Sequence, residues 1–452
     1  MAEERSTEPR EVRDWRGRSY RIGEDPRDLI GWPRWSMLAL AWLAMATVGV
    51  LQYGYGAAVP ALMSRNGWSG VEAFWPLAGW VVFQAGIGMP AAYLLERGRV
   101  GSRALTLAGA VCCEIGVLAL AYSTDLTTVL VGYSVVGGAG AGLVYAACTS
   151  VVTRWYPERR GMRVGQITGA FAYGSVPVVV VAVLGLNSDI LTSVLPAVSV
   201  VIFMLVVGAG LLLADPPPRW WPAEVDPRAW ALSGNTACSQ NPPAAREFSA
   251  TQALRTRVLP LMVLILMGAG AVSLFDAAFL VVIVTDLGVG VAVTAVAAAL
   301  LLACNGATRA AAISVSDRLG RRRTLTAVLA IQAGAQVLLA VAVTTASPVL
   351  VIVAAALAGL GGGAFYPLFA SLARAYFGEE RAFEVHGIVY CAKAGSGIIG
   401  VGLAASAVAA WGPAPALLLA AAIGATCTVA AVALRRPGLP KTLPTAAIAV
   451  IG

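Results

Sequence analysis

The chain has 452 residues, of which 58% are hydrophobic and only 12% charged, and it carries 32 Lys+Arg against 24 Asp+Glu for a formal charge of +8. Soluble domains carry about a quarter charged residues, so this composition excludes a soluble enzyme or binding module and points to a chain that crosses a membrane many times. The basic excess argues against nucleic acid as a partner, because the arginines sit in short clusters between apolar runs and not along one face.

In chain order, residues 1–35 are mixed in charge, punctuated by glycine and proline, and lack the apolar stretch of a signal peptide; they read as a poorly ordered cytoplasmic tail. Twelve apolar runs follow, near the roughly 20 residues a spanning helix needs: 36–62, 72–95, 104–122, 127–152, 164–186, 191–214, 258–284, 291–315, 324–345, 348–372, 386–410 and 414–434. They form two sets of six, 36–214 and 258–434, joined by a linker at 215–257 that is rich in proline and polar residues. A second tail occupies 435–452. The expected fold is an all-α membrane protein with twelve transmembrane helices in two six-helix bundles. The seven cysteines (112, 113, 148, 238, 304, 391, 427) lie mostly in apolar runs without metal spacing and read as small core residues.

The short loops set the orientation. Arg97, Arg99 and Arg103 follow helix 2, Arg154, Arg159, Arg160 and Arg163 follow helix 4, and Arg318, Arg321, Arg322 and Arg323 follow helix 8, while the alternate loops hold little beyond Arg65. Basic loops stay inside, so both termini and the linker are expected to be cytoplasmic. The two halves also repeat. A shift of 221 lays Tyr145 on Tyr366, Ser150 on Ser371, Glu158 on Glu379, Arg160 on Arg381, and Glu96-Arg97 on Asp317-Arg318. Parallel six-helix repeats of this kind place a binding site near the midplane between the halves.

Two cations interrupt the apolar pattern: Lys393, within VHGIVYCAKAGSGIIGVG (385–402), and Arg309 in helix 8; the only other lysine is Lys441 in the tail. Each costs about 2.5–3.5 kcal/mol inside the hydrocarbon on insertion scales, so each needs a partner. Their depths are similar, and the repeat puts Gly88 opposite Arg309 and, with one inserted residue, Phe171 opposite Lys393, so symmetry does not require either. A carboxylate gripped by both would remove the cost. The competing readings are an Arg309 pair with Asp276, and Lys393 snorkelling to water inside the bundle. Asp276 and Glu114 read as proton or counter-ion groups, against a solvated wall for Asp276. Tyr390 lies three residues before Lys393, hence on its face, and Asn305 one turn before Arg309; with Gln52, Tyr55, Tyr145 and Tyr366 they are the polar candidates for lining the site. His386 reads as an interfacial residue, and the glycine runs as close-packing surfaces.

Ser316-Asp317-Arg318-Leu319-Gly320-Arg321-Arg322-Arg323 after helix 8, together with the repeat, resembles the major facilitator superfamily. More narrowly, Gln52-Tyr53-x-Tyr55, Arg154-Trp155-Tyr156-Pro157-x-x-Arg160-Gly161, Asp215-Pro-Pro-Pro-x-Trp220-Trp221-Pro222, Asn305-Gly306-x-x-Arg309 and Tyr390-x-Ala392-Lys393 resemble the oxalate/formate antiporter family over about residues 36–434. The resemblance implies that Arg309 and Lys393 bind substrate carboxylates in a central cavity and that Asp317, Arg318 and Arg321 belong to a gating motif. The loop after helix 2, ERGRVGSR, departs from that motif, and Tyr366-Pro367 departs from the family's cavity aromatics.

The expected function is secondary transport of small carboxylates, of oxalate/formate or monocarboxylate type, across the cell membrane by alternating access, as exchange or with protons. The alternative is proton-driven efflux of drug-like compounds through Glu114 or Asp276. No Ser/His/Asp or metal constellation supports an enzyme, so no cofactor or metal is expected. The expected partners are the anion and the lipid bilayer, with the protein working as a monomer.

Overall fold

The computed structural model describes residues 10–14, 17–233, 241–242, 244–379 and 382–438. Lys441, Cys238 and Arg381 lie outside the described residues. Among the described residues, twelve helices are long and apolar enough to cross a bilayer: α1 (Trp35–Tyr53), α2 (Glu72–Glu96), α3 (Ser102–Tyr122), α4 (Leu126–Trp155), α5 (Pro157–Gly185), α6 (Ser188–Leu212), α7 (Val258–Asp286), α8 (Val291–Leu319), α9 (Arg321–Thr345), α10 (Pro348–Phe377), α11 (Glu384–Trp411) and α12 (Pro413–Val432). A helix satisfies its own backbone, which is why such apolar sequences adopt it where water is absent. α1 breaks at Gly54 and runs on as Tyr55–Asn66, whereas the apolar run reads as one helix.

Several helices outrun their apolar stretches. α5 starts at Pro157, α8 reaches Leu319 and α10 reaches Phe377, so Arg159, Arg160, Asp317 and Arg318 lie on helical ends and not in loops. Arginine stems cover apolar surface while the heads stay at the rim, which lets these helices extend.

The repeat is visible in the packing. α3 packs on α4 and α6 just as α9 packs on α10 and α12, and α2 packs on α4 as α8 does on α10. The halves meet through α5 with α8, α2 with α11, and the second part of α1 with α7. The face carrying the 215–257 linker is called the linker face below, and the opposite one the far face.

Both faces are closed. On the far face the Phe74 and Phe279 rings stack at 3.9 Å, joining the start of α2 to α7. Toward the linker face α5 meets α8, where a Cβ on Gly161 would lie 3.5 Å from Ile313 Cγ2, and at mid-depth the two touch backbone to backbone: a Cβ on Gly169 would lie 2.6 Å from the Gly306 carbonyl oxygen, and one on Gly306 would lie 2.9 Å from that of Gly169. Only glycine at both positions allows the approach. Arg65, the isolated far-face arginine, donates to the Leu120, Ala121 and Ser123 carbonyls and so caps the C-terminus of α3.

The N-terminal segment departs from its expected disorder. Strands β1 (Arg10–Arg13) and β2 (Ser19–Ile22) pair antiparallel, Arg10 opposite Ile22. The hairpin docks on the linker: Arg21 N donates to Arg219 O at 2.8 Å and Trp221 N to Arg21 O at 2.9 Å. Tyr20 packs edge-on against Trp221 at 4.9 Å, and Trp221 against Trp230 at 5.0 Å. Mixed charge argues for disorder only when nothing apolar can be buried, and these aromatics supply that burial.

Candidate functional site

Arg309 stands ten residues before the end of α8 and Lys393 nine residues into α11, both about 13–15 Å from the linker-face ends at 1.5 Å per residue. They are 3% and 4% exposed. Among the described residues neither forms an ion pair. Arg309 Nη2 donates to the Tyr53 hydroxyl at 2.8 Å and to Asn305 Oδ1 at 2.9 Å, and its Nε is buried with no partner. Lys393 Nζ donates to Gln52 Oε1 at 2.9 Å and Gln84 Oε1 at 2.8 Å, and Gln84 Nε2 reaches the Tyr390 hydroxyl at 3.4 Å. Three of these four partners, Tyr53, Gln52 and Gln84, come from the N-terminal half, so the cations of one half are held by neutral oxygens of the other.

Aromatic rings enclose both charges. Tyr366 lies 5.4 Å from the Arg309 guanidinium and 5.9 Å from Lys393 Nζ, with Phe171 and Tyr390 at 5.8 and 5.9 Å from the ammonium. Tyr145 stacks on Tyr390 at 5.6 Å and meets Phe171 edge-on at 5.9 Å, and Tyr53 meets Phe171 at 6.1 Å. Ring faces attract cations but do not neutralise them. The Tyr366 ring lies within reach of both, so two like charges share one low-dielectric box. An anion between them would be held by a guanidinium fork and a point charge, while the aromatic walls would accept its apolar part.

Local packing explains the placement. A Cβ on Gly363 of α10 would fall 2.0 Å from the Asn305 carbonyl oxygen, so α10 can lie directly on α8 beside Arg309.

Seven sequence candidates converge here: Arg309, Lys393, Asn305, Gln52, Tyr145, Tyr366 and Tyr390. Three do not. The Tyr55 hydroxyl donates to the Ala73 carbonyl at 2.8 Å and its ring packs on Tyr133, because side chains two residues apart on a helix do not share a face, so Tyr55 points away from Tyr53. Asp276 meets neither cation; both its oxygens accept from Gln336 Nε2, at 2.8 and 2.9 Å. Glu114 faces α6, where Ser199 Oγ donates to it at 3.0 Å. At the linker face, Arg321 Nη1 donates to the Ser371 carbonyl at 3.2 Å, which ties the start of α9 to α10 beside Asp317 and Arg318.

Gln84 and Phe171 are not among the sequence candidates for this box, whereas Tyr53 is one of the helix tyrosines expected to line a polar cavity. A signal for Gln84 was available: the shift of 221 that pairs Tyr145 with Tyr366 also lays Gln84 on Asn305. The box is therefore built from two repeat-related pairs, each amide holding one cation, and Phe171 sits beside the lysine it matches in the repeat.

The Major Facilitator Superfamily profile matches residues 41–314 and 261–449. The chain belongs to this superfamily. Among relatives, the "Oxalate:formate antiporter" of Oxalobacter formigenes is 24% identical over 397 residues, covering 86% of this chain and 88% of that protein. An "Uncharacterized 38 kDa protein in 23S RNA operon" of Thermoproteus tenax is 25% identical over 421 residues, covering 91% and 98%. Two solved structures share the fold: a nucleoside transporter (TM-score 0.62, 12% identity, 89% of this chain and 99% of that one) and a POT family transporter in complex with a thioalcohol-conjugated peptide (TM-score 0.66, 13% identity, 90% and 97%). The facilitator fold makes this a multi-pass membrane transporter, and the two-cation box lies where that fold brings its halves together.

Proposed function

We propose that this facilitator carries small organic carboxylates, with Arg309 and Lys393 as the charge clamp. The observation that carries the reading is that two buried cations, one on α8 and one on α11, have only neutral described partners, most of them borrowed from the opposite half. Replacing one of those neutral oxygens by a carboxylate turns a neutral-acceptor contact into a charge-assisted one. The clamp then no longer depends on the opposite half, which frees residues 36–214 and 258–434 to rock about the site. The likeness to an oxalate:formate antiporter supports a carboxylate as the substrate. The arginine-rich linker face is assigned to the cytoplasm of the cell membrane, both termini included.

The test is counterflow of radiolabelled oxalate, formate, lactate and pyruvate into proteoliposomes containing the wild type, Arg309→Gln or Lys393→Gln. At least one carboxylate is expected to exchange in the wild type and to fall to background in both variants. Transport retained by both variants, or cationic substrates preferred by the wild type, would overturn the clamp.

A further inference from the structure

Asp276 is the one acid among the described residues that is buried, 3% exposed, inside a spanning helix, and the clamp does not use it. It borders a small apolar cleft lined by Phe275, Leu280 and Val284 of α7, Leu339 of α9, Val351 of α10 and Leu417 of α12, and no other described residue of that lining carries a titratable group. A carboxylate without a cation in such a place is costly to bury ionised. Its polar neighbour is Gln336, 0% exposed, whose Nε2 donates to both Asp276 oxygens while its own Oε1 is buried with no partner among the described residues. An ionised Asp276 can only accept, so it cannot satisfy that oxygen. A protonated Asp276 can: its O–H donates to Gln336 Oε1 while Gln336 Nε2 donates to the other carboxyl oxygen, closing a ring of two hydrogen bonds. One turn nearer the linker face, Gln332 repeats the pattern, with Nε2 donating to the Ala269 carbonyl at 3.0 Å and Oε1 buried without a partner.

We propose that Asp276 and Gln336 form a proton-binding site, separate from the anion clamp, through which the transporter moves a proton together with its substrate. The proton comes from water on one side of the membrane and leaves to water on the other; no bond other than the acid O–H forms or breaks. The position in the fold supplies the coupling. Asp276 shares two turns of α7 with Phe279, which stacks on Phe74 to close the far face, and a Cβ on Gly56 of α1 would lie 2.6 Å from the Ala278 carbonyl oxygen on the same turns. A neutral Asp276 lets α7 lie against α9 with the far face shut. An ionised one favours the conformation that brings water to the cleft, which is the one with the far face open. Coupling to substrate rests on the carboxylate reading above; the proton site itself does not.

Two measurements test this on the full-length protein. Infrared difference spectroscopy at neutral pH, where exposed carboxyls are ionised, reads the C=O stretch of a protonated acid directly. The band is expected in the wild type, lost in Asp276→Asn, and shifted in Gln336→Leu, where its hydrogen-bond partner is gone. A spectrum unchanged by Asp276→Asn overturns the site. In proteoliposomes, accumulation of labelled carboxylate driven by an imposed pH gradient is expected to fall about tenfold or more in Asp276→Asn, a coupling within the usual range. Accumulation undiminished in that variant, or wild-type uptake indifferent to the gradient, overturns the coupling. Absence of wild-type carboxylate counterflow with the Asp276 band intact would instead remove the substrate assignment and leave the proton site standing.

Discussion

Arg309 Nη2 lies 2.8 Å from the hydroxyl of Tyr53, so the guanidinium of the C-terminal half is gripped by the first helix of the N-terminal half. If the hydroxyl stands in for the anion, removing it leaves the empty clamp worse off and the loaded one unaffected. Tyr53→Phe is then expected to tighten carboxylate binding about tenfold by calorimetric titration, the equivalent of one hydrogen bond to a charged group. Weaker binding would mean instead that Tyr53 and Arg309 hold the anion together.

The Lys393 contacts lead to a stability prediction. Gln84 Oε1 and Gln52 Oε1 hold the ammonium at 2.8 and 2.9 Å. Gln84→Leu strips one of them from a buried charge and is expected to cost about 1–3 kcal/mol. Gln84→Leu combined with Lys393→Met removes both partners, and the double variant is expected to recover most of that loss while remaining inactive in transport. Thermal unfolding in detergent measures both; a double variant less stable than Gln84→Leu would show that Lys393 supports the fold through something other than this pair.

The Gly169–Gly306 contact concerns conformation, not binding. A Cβ on Gly169 would lie 2.6 Å from the Gly306 carbonyl oxygen, so Gly169→Val is expected to hold α5 and α8 apart and keep the linker face open. Carboxylate binding is expected to survive, while counterflow drops about tenfold or more, because a carrier that cannot close on one face cannot complete its cycle. A double spin label across α5 and α8 reads the separation.

These sites differ in how far they can be read from the sequence. The twelve spans are legible because a bilayer demands about 20 apolar residues each time and twelve stretches comply. Arg309 and Lys393 are legible because charge inside such stretches is rare. Gln84 is not rare enough to stand out, and only its repeat partner Asn305 marks it. Tyr53 and Tyr55 differ by two positions and so cannot share a helix face, and residue types alone do not fix which of the two meets Arg309. Asp276 stands out by its type, but its partner Gln336 lies 60 residues away on a different helix. The hairpin is hidden for another reason: its stability comes from Trp221 and Trp230 of a linker that itself reads as irregular.

That hairpin provides the pH prediction. Asp14 is 6% exposed and accepts from Arg18 N at 3.0 Å, Arg18 Nε at 2.8 Å and the Tyr20 hydroxyl at 2.9 Å. Burial pushes its carboxyl up, but the Arg18 and Tyr20 hydrogen bonds outweigh that and hold it below the usual aspartate range. A carboxyl depressed in the folded state stabilises above its unfolded value of about 3.9, and the contribution is lost as pH falls below that through the depressed value. Docking of β1 and β2 on the linker is therefore expected to be indifferent to pH between neutrality and about 5, and to weaken only below about 4. Asp14→Asn imitates the protonated form at neutral pH. It is expected to raise hydrogen–deuterium exchange of residues 17–22 about tenfold, one charge-assisted hydrogen bond's worth, without changing exchange in α7 or α8. Arg18 also reaches Glu379 at 2.5 Å, beyond the end of α10, an exposed pair that the variant leaves in place. Unchanged exchange in residues 17–22 would mean that the Tyr20–Trp221 packing holds the hairpin without Asp14.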